Sequence, residues 1–227
     1  MQLVMFDIDG TLTQSNDLDN AAFLKALFEI FDFSEVSDDW TSYSHVTDAC
    51  ILKEICQHKL GRIPSRDEVT RFQKRLLELL AEGAANIGRI QPVLGASSIL
   101  SKLLTSSNYR VAYAGGAWTA SAIFKLQSAN LPIQNIPYAF SDDDESREGI
   151  TAIALSRAEQ QYGCSFSSIV YVGDGVWDIR SARKSGYAFI GIASGDEAEI
   201  LRNEGATYIF PDYNNTENFF AALTSAA

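Results

Sequence analysis

Apolar residues follow two rhythms along this chain. The first is the short continuous run. Leu3–Phe6, Arg110–Ala114, Ile136–Phe140, Ser168–Val172, Tyr187–Ile192 and Thr207–Phe210 are runs or near-runs of this kind, as in Ile169-Val170-Tyr171-Val172. Such runs suit strands buried on both faces, as in a parallel sheet. The second rhythm is helical. From Ile90 onward it marks Ile99, Leu100, Leu103 and Leu104, then Ile123, Phe124 and Leu126, then Ile150, Ile153, Ala154 and Ala158, with Gly163 as the stop of the last. Strands alternating with helices predict an α/β fold built as a Rossmann-like, doubly wound parallel sheet.

One stretch breaks the alternation. Between Asp17 and Gly88 only helical spacing recurs. Phe23, Leu24, Leu27, Phe28 and Phe31 mark one helix, and Val46, Cys50 and Ile55 begin another that Gly61 ends. Ser65 and Glu68 form a capping box ahead of Val69, Phe72, Leu76 and Leu80. The insertion is too long for a loop. The division expected is a core of residues 1–13 and 89–227, with a helical cap over residues 14–88.

Charge narrows the possible partners. The chain has 227 residues and a formal net charge of -11, with 46% hydrophobic and 21% charged residues. That acidity argues against a nucleic-acid ligand, whose footprint would be basic. It leaves anionic small molecules open, because a bound cation can reverse the sign of a site. No segment approaches the ~20 apolar residues of a membrane span. No basic flank or cleavage pattern accompanies the first strand, so a cytoplasmic location and no membrane partner are expected. Cys50, Cys56 and Cys164 match no scaffold spacing and read as reduced thiols. With His45 and His58 they match no common zinc pattern.

The chemistry sits where the strands end. In open α/β sheets ligands bind beyond the carboxyl ends of the strands. The first strand is followed by Asp7, Asp9, Gly10 and Thr11, and the Val170–Val172 run by Gly173, Asp174, Gly175 and Asp178. Asp7 and Asp9 repel each other unless a cation lies between them. Carboxylates without clustered thiolates or imidazoles suit a hard cation, and Mg2+ is the usual one at phosphate-handling sites. Asp178 reads equally as a ligand or as a first-turn helix acid. Asp142, Asp143 and Asp144 read as a solvated loop.

These residues carry a family resemblance. Phe6-Asp7-Ile8-Asp9-Gly10-Thr11-Leu12 resembles the first motif of the haloacid dehalogenase superfamily, and Gly173-Asp174-Gly175-Val176-Trp177-Asp178 resembles its fourth. A helical insertion after the first motif resembles the C1-capped subgroup of phosphoglycolate phosphatases and beta-phosphoglucomutases. The resemblance implies that Asp7 attacks phosphorus and forms an aspartyl-phosphate. Asp9 would protonate the leaving oxygen and then activate water. Asp7, the Asp9 backbone carbonyl and Asp174 would hold Mg2+, with Asp178 in support. Phosphoryl transfer needs positioning and charge neutralisation, which such a set supplies. Dehalogenases proper lack the second acid, so Asp9 favours phosphate chemistry. The partner implied is a small phosphorylated metabolite, and the chain would be a monomer or homodimer.

Two positions depart from the family pattern. The second motif normally ends in Thr or Ser, where this chain has Gly115 followed by Gly116. Their backbone N–H groups, ahead of a helix starting near Trp118, are the expected replacement. Gly10 and Thr11 are expected beside them around the phosphate. The third motif normally supplies Lys, and the match here is Arg147, which keeps the charge and can fork onto phosphate. Lys184 is a poorer match, and Arg147 could instead be a surface arginine paired with Asp144 or Glu145. Three rival activities remain: a phosphomutase, a phosphonate hydrolase using a cap lysine (Lys25, Lys53, Lys59 or Lys74), and a non-catalytic phosphate-binding protein.

Overall fold

A computed structural model describes residues 1–226. Six parallel strands form one sheet in the order β3-β2-β1-β4-β5-β6. The strands are β1 (Gln2–Phe6), β2 (Tyr109–Ala114), β3 (Tyr138–Ala139), β4 (Ser168–Gly173), β5 (Ala188–Ile192) and β6 (Tyr208–Phe210). The α/β, doubly wound reading therefore holds. Every predicted strand exists, each within a residue or two at its ends, except that β3 has only two residues. Pro137 explains the short strand: it has no N–H to give the ladder, though its carbonyl still accepts from the Tyr113 N–H at 2.9 Å.

The alternation of side chains across the sheet builds two cores. Val4, Phe6, Val111, Val170 and Val172 face α4 (Ala96–Thr105), α5 (Thr119–Ser128) and α9 (Thr216–Ser225). Leu3, Met5, Ala112 and Tyr171 face α6 (Arg147–Tyr162) and α7 (Val176–Ser185). The remaining helix, α8 (Gly195–Asn203), packs at the β5–β6 edge. All five residues of β1 are buried, because helices cover both faces and neighbours flank both edges.

The insertion is helical, as its spacing predicts. It comprises α1 (Asn16–Phe31), a short 3-10 turn at Trp40–Ser42, α2 (Asp48–Leu60) and α3 (Arg66–Asn86). It has its own apolar core, with Phe23, Leu27, Leu52, Phe72 and Leu76. Trp118, from the α/β part, plugs into that core. Gly61 ends α2 at φ 70, and Ser65 and Glu68 close the capping box of α3. Such a cap stabilises a helix by about 1 kcal/mol.

Strand order places the site. The chain leaves β1 outward through β2 and β3, then returns to lay β4 on the other side of β1. The crevice at such a reversal, beyond the carboxyl ends of the strands, is where open α/β sheets bind ligands. Phe6 stands level with Val172, and the Asp7 N–H donates to the Val172 carbonyl at 3.0 Å. The acids that follow both strands thus emerge side by side.

Candidate active site

Asp7, Asp174 and Asp178 offer carboxylate oxygens that all lie within 4.8 Å of one another. Among the described residues this is the one group of three or more potential ligands, and it contains no histidine or cysteine. An all-oxygen set fits a hard divalent cation. Electrostatics points the same way. Burial first, then the charges of Asp178, Asp174 and Asp9, push the Asp7 carboxyl well above its usual range, and Arg147 only partly offsets them. Burial and the Asp178 charge push Asp174 up to about 8, against the Asn16 hydrogen bond and Arg147. Asp178 is also raised, again chiefly by burial.

A stability consequence follows. A carboxyl raised in the folded state binds its proton more tightly than the unfolded chain does. The stabilisation is complete below the ordinary value of 3.8 and is lost as pH rises toward about 8. In EDTA, the thermal unfolding midpoint is expected to fall across that window. Added Mg2+ is expected to raise it, most at the alkaline end. A midpoint indifferent to Mg2+ at pH 8 would exclude this group as a cation site.

Arg147, the first residue of α6, is only 7% exposed and is no surface arginine. It lies 2.5 Å from Asp178 and 3.5 Å from Asp7, and its Nε donates to the Val46 carbonyl of the insertion at 2.9 Å. Its guanidinium lies 5.8 Å from the Trp177 ring centroid. Burial opposes its charge, but Asp178 and Asp7 outweigh burial and hold it above the usual arginine value. Asp178 is the first-turn helix acid read for it, since one oxygen accepts the Gly175 N–H at the start of α7, while the other takes Arg147. Lys184 instead pairs with Glu148. The loop acids are local caps: Asp142 accepts from the Thr119 N–H, Asp143 takes Arg157 and Asp144 takes Ser146.

Asp9 lines the same cleft but is not one of the three clustered carboxylates. Ser15 donates to one of its oxygens at 2.5 Å, and Lys125 donates to the other at 2.6 Å. Ser15 is the N-cap residue of α1, yet its hydroxyl makes no cap bond and serves Asp9 instead. Lys125 has no solvent exposure and also reaches Asp19 of α1 at 2.7 Å. Burial would lower this ammonium, but Asp19, Asp9 and Asp48 together hold it above the usual lysine value. Lys125 is the residue that sequence reading missed. The signal was available: it lies in the buried stripe of α5 with Ser121, Ala122 and Leu126, and a buried lysine needs carboxylates.

Three expected phosphate contacts are not at the cleft. Gly10 makes a turn at φ 67, with its N–H bonded to the Thr13 carbonyl, and a Cβ there would strike Asp174. Thr11 is fully buried, and among the described residues its hydroxyl has no partner. The Gly115 N–H donates to the Ala139 carbonyl, and a Cβ at Gly115 would meet Asp7 Oδ1. A Ser or Thr at this position would need the Asp7 carboxylate to shift. Gly116, by contrast, lines the cleft with Ala117. The start of α5 is already taken, since the Trp118 and Thr119 N–H groups are bonded to Asp48 and Asp142.

These groups open into a cleft of about 140 Å³. Its floor holds Asp7, Asp174 and Arg147, and its roof is the insertion, through Asp19, Phe23, Trp40 and Asp48 among others. The insertion is clamped down here. The Asp48 N–H donates to the Gly116 carbonyl at 2.8 Å, and the Thr47 hydroxyl donates to the Glu145 carbonyl at 2.7 Å. Trp40 and Tyr43 are half-buried, and Trp40 meets Phe23 edge-on at 5.7 Å. Cys50 and Cys56 are buried free thiols, as expected, and burial pushes both up to about 11.

With this geometry in place, the family comparison is decisive. The haloacid dehalogenase-like hydrolase model matches residues 1–186. The chain belongs to the haloacid dehalogenase-like hydrolases. No curated protein matches it. Solved structures show the same fold. A hydrolase from Pseudomonas syringae is 19% identical, with 96% of this chain and 98% of that one covered and a TM-score of 0.71. A family IA, variant 3 haloacid dehalogenase hydrolase from Entamoeba histolytica is 20% identical over 95% of each chain, with a TM-score of 0.68. CbbY from Rhodobacter sphaeroides, solved with phosphate, is 18% identical, covers 93% and 94% of the two chains and has a TM-score of 0.69. Among the described residues of this family member, no helix is long and apolar enough to cross a membrane.

Proposed function

We propose that this hydrolase is a Mg2+-dependent phosphatase that cleaves a small phosphomonoester through an aspartyl-phosphate on Asp7. One observation carries the reading: the Asp7, Asp174 and Asp178 carboxylates and the Arg147 guanidinium converge at the β1–β4 crevice, under a roofed cleft. Asp7, the Asp9 backbone carbonyl and Asp174 would hold the cation, with Asp178 supporting them through Arg147. When bound, Mg2+ neutralises the clustered acids and the phosphoryl oxygens.

The chain's own residues do the rest. Asp7, pinned beneath the cleft by the β1–β4 register, attacks phosphorus, and the ester oxygen leaves. Arg147 sets a positive charge beside the phosphoryl group, where phosphoryl transfer needs it. The Gly116 and Ala117 backbone lies at the same wall. Asp9 gives a proton to the departing oxygen and then takes one from the water that hydrolyses the phosphoaspartate. Ser15 and Lys125 fix where its carboxylate sits. Residues 14–88 act as the cap over the core of 1–13 and 89–227, excluding water during the reaction.

Phosphate-bearing ligands in related folds agree with this reading: CbbY was solved with phosphate and with xylulose-(1,5)bisphosphate. The phosphonate-hydrolase alternative is disfavoured, because Lys25, Lys53, Lys59 and Lys74 do not line the cleft. The test is hydrolysis of p-nitrophenyl phosphate with Mg2+ and with EDTA. Phosphate release that needs Mg2+ is the expected result. Equal release in EDTA would sink the metal-dependent mechanism.

A further inference from the structure

The cap side of the cleft has a charge problem that the phosphatase reading does not use. Asp48, the first residue of α2, lines the cleft and is only 7% exposed. One of its oxygens accepts the Trp118 N–H at 2.9 Å, and among the described residues the other has no hydrogen-bond partner. The Lys125 charge reaches Asp48, but its ammonium is bonded to Asp9 and Asp19, so three carboxylates share one cation. Burial and the Asp19 charge raise its carboxyl well above the usual range, and Lys125 and the Trp118 N–H only partly offset them. Phe23 and Trp40 from the insertion and Trp177 from the core line the same cleft. Among the described residues, no Lys, Arg or His of the insertion lines the cleft.

A phosphoryl group seated at Asp7 and Arg147 would direct its leaving group toward this roof. A second anionic group there, a carboxylate or another phosphate, would meet Asp48 where the Lys125 ammonium is already bonded to Asp9 and Asp19. A carboxylate with an oxygen to spare in an acidic, aromatic-lined cleft is the chemistry that receives an ammonium group, through charge and cation–π attraction. We propose that the substrate is a small phosphomonoester whose leaving group carries an ammonium, held by Asp48 against Phe23 and Trp40. This deepens the phosphatase reading and rests on it.

A two-carbon series isolates the charge: 2-aminoethyl, 2-hydroxyethyl and carboxymethyl phosphate differ at one end only. With Mg2+, kcat/KM is expected to be about tenfold higher for the aminoethyl than for the hydroxyethyl ester. The carboxymethyl ester is expected to be poorest. In Asp48→Asn, whose amide oxygen can still accept the Trp118 N–H, the aminoethyl-to-hydroxyethyl ratio is expected to fall toward one. If that variant does not fold, the order among the three esters in the native protein decides. A carboxymethyl ester cleaved as well as the aminoethyl ester would overturn the proposal. So would failure on all three while p-nitrophenyl phosphate is still cleaved. Loss of all hydrolysis, the aryl ester included, would instead overturn the phosphatase reading and this proposal with it.

Discussion

Asp7→Asn is expected to abolish turnover and, in EDTA, to raise the unfolding temperature. The two effects have one origin. Asp7 lies at the carboxyl end of β1, where burial and the Asp178 charge disfavour its ionised form. An amide keeps the shape and removes the buried charge, so the metal-free fold relaxes. The same change removes the attacking oxygen. Loss of a nucleophile is expected to lower kcat by about 10⁴-fold or more. The pair of measurements is p-nitrophenyl phosphate hydrolysis with Mg2+ and thermal unfolding in EDTA. An active variant would remove Asp7 from the chemistry. An inactive but destabilised variant would mean that Arg147, 3.5 Å away, outweighs burial at this position.

Lys125→Met is expected to produce the second-largest effect. Its ammonium is the shared partner of Asp9 in the core and Asp19 in the insertion, with no solvent contact. Methionine matches the length and leaves both carboxylates unpaired. Breaking a buried pair by deleting one partner costs about 3–5 kcal/mol. Loss of structure alone would lower turnover of all esters alike. Misplacement of Asp9 would not: it should hurt alkyl esters, whose leaving oxygen needs a proton, far more than p-nitrophenyl phosphate. The measurement is the ratio of kcat/KM between an alkyl and an aryl ester in the native protein and the variant. An unchanged ratio would make Lys125 purely structural. Should Lys125→Met not fold, Asp19→Asn removes one carboxylate and keeps Lys125 on Asp9. It is expected to leave that ratio near the native value.

The sheet was legible because both-face burial writes itself as continuous apolar runs, and Ile169-Val170-Tyr171-Val172 is one of them. The insertion was legible through periodicity, down to the Gly61 stop and the Ser65–Glu68 box. The converging acids were legible from strand ends alone. What one sequence did not show were contacts distant along the chain. Nothing local says that Arg147 lies between Asp178 and the Val46 carbonyl, or that Asp48 reaches the start of α5. Gly115 looked like a missing hydroxyl because a motif records residue types and not the space around them. The Asp7 carboxylate that a side chain there would meet comes from a different strand. Lys125 was missed differently: its place in the stripe with Ala122 and Leu126 signals burial, but nothing local names Asp9 and Asp19 as its partners.

The central claim is phosphoryl transfer to Asp7, and trapping the covalent species tests it most directly. In Asp9→Asn, p-nitrophenyl phosphate can still phosphorylate Asp7, because its leaving group needs no proton, while water attack on the intermediate slows. Acid quenching with Mg2+ present, followed by mass spectrometry of the peptides, reads the site. The expected result is a burst of nitrophenol and a phosphoryl group on the Asp7 peptide. Nitrophenol released with Asp7 unmodified, or a phosphoryl group on another residue, would contradict the account.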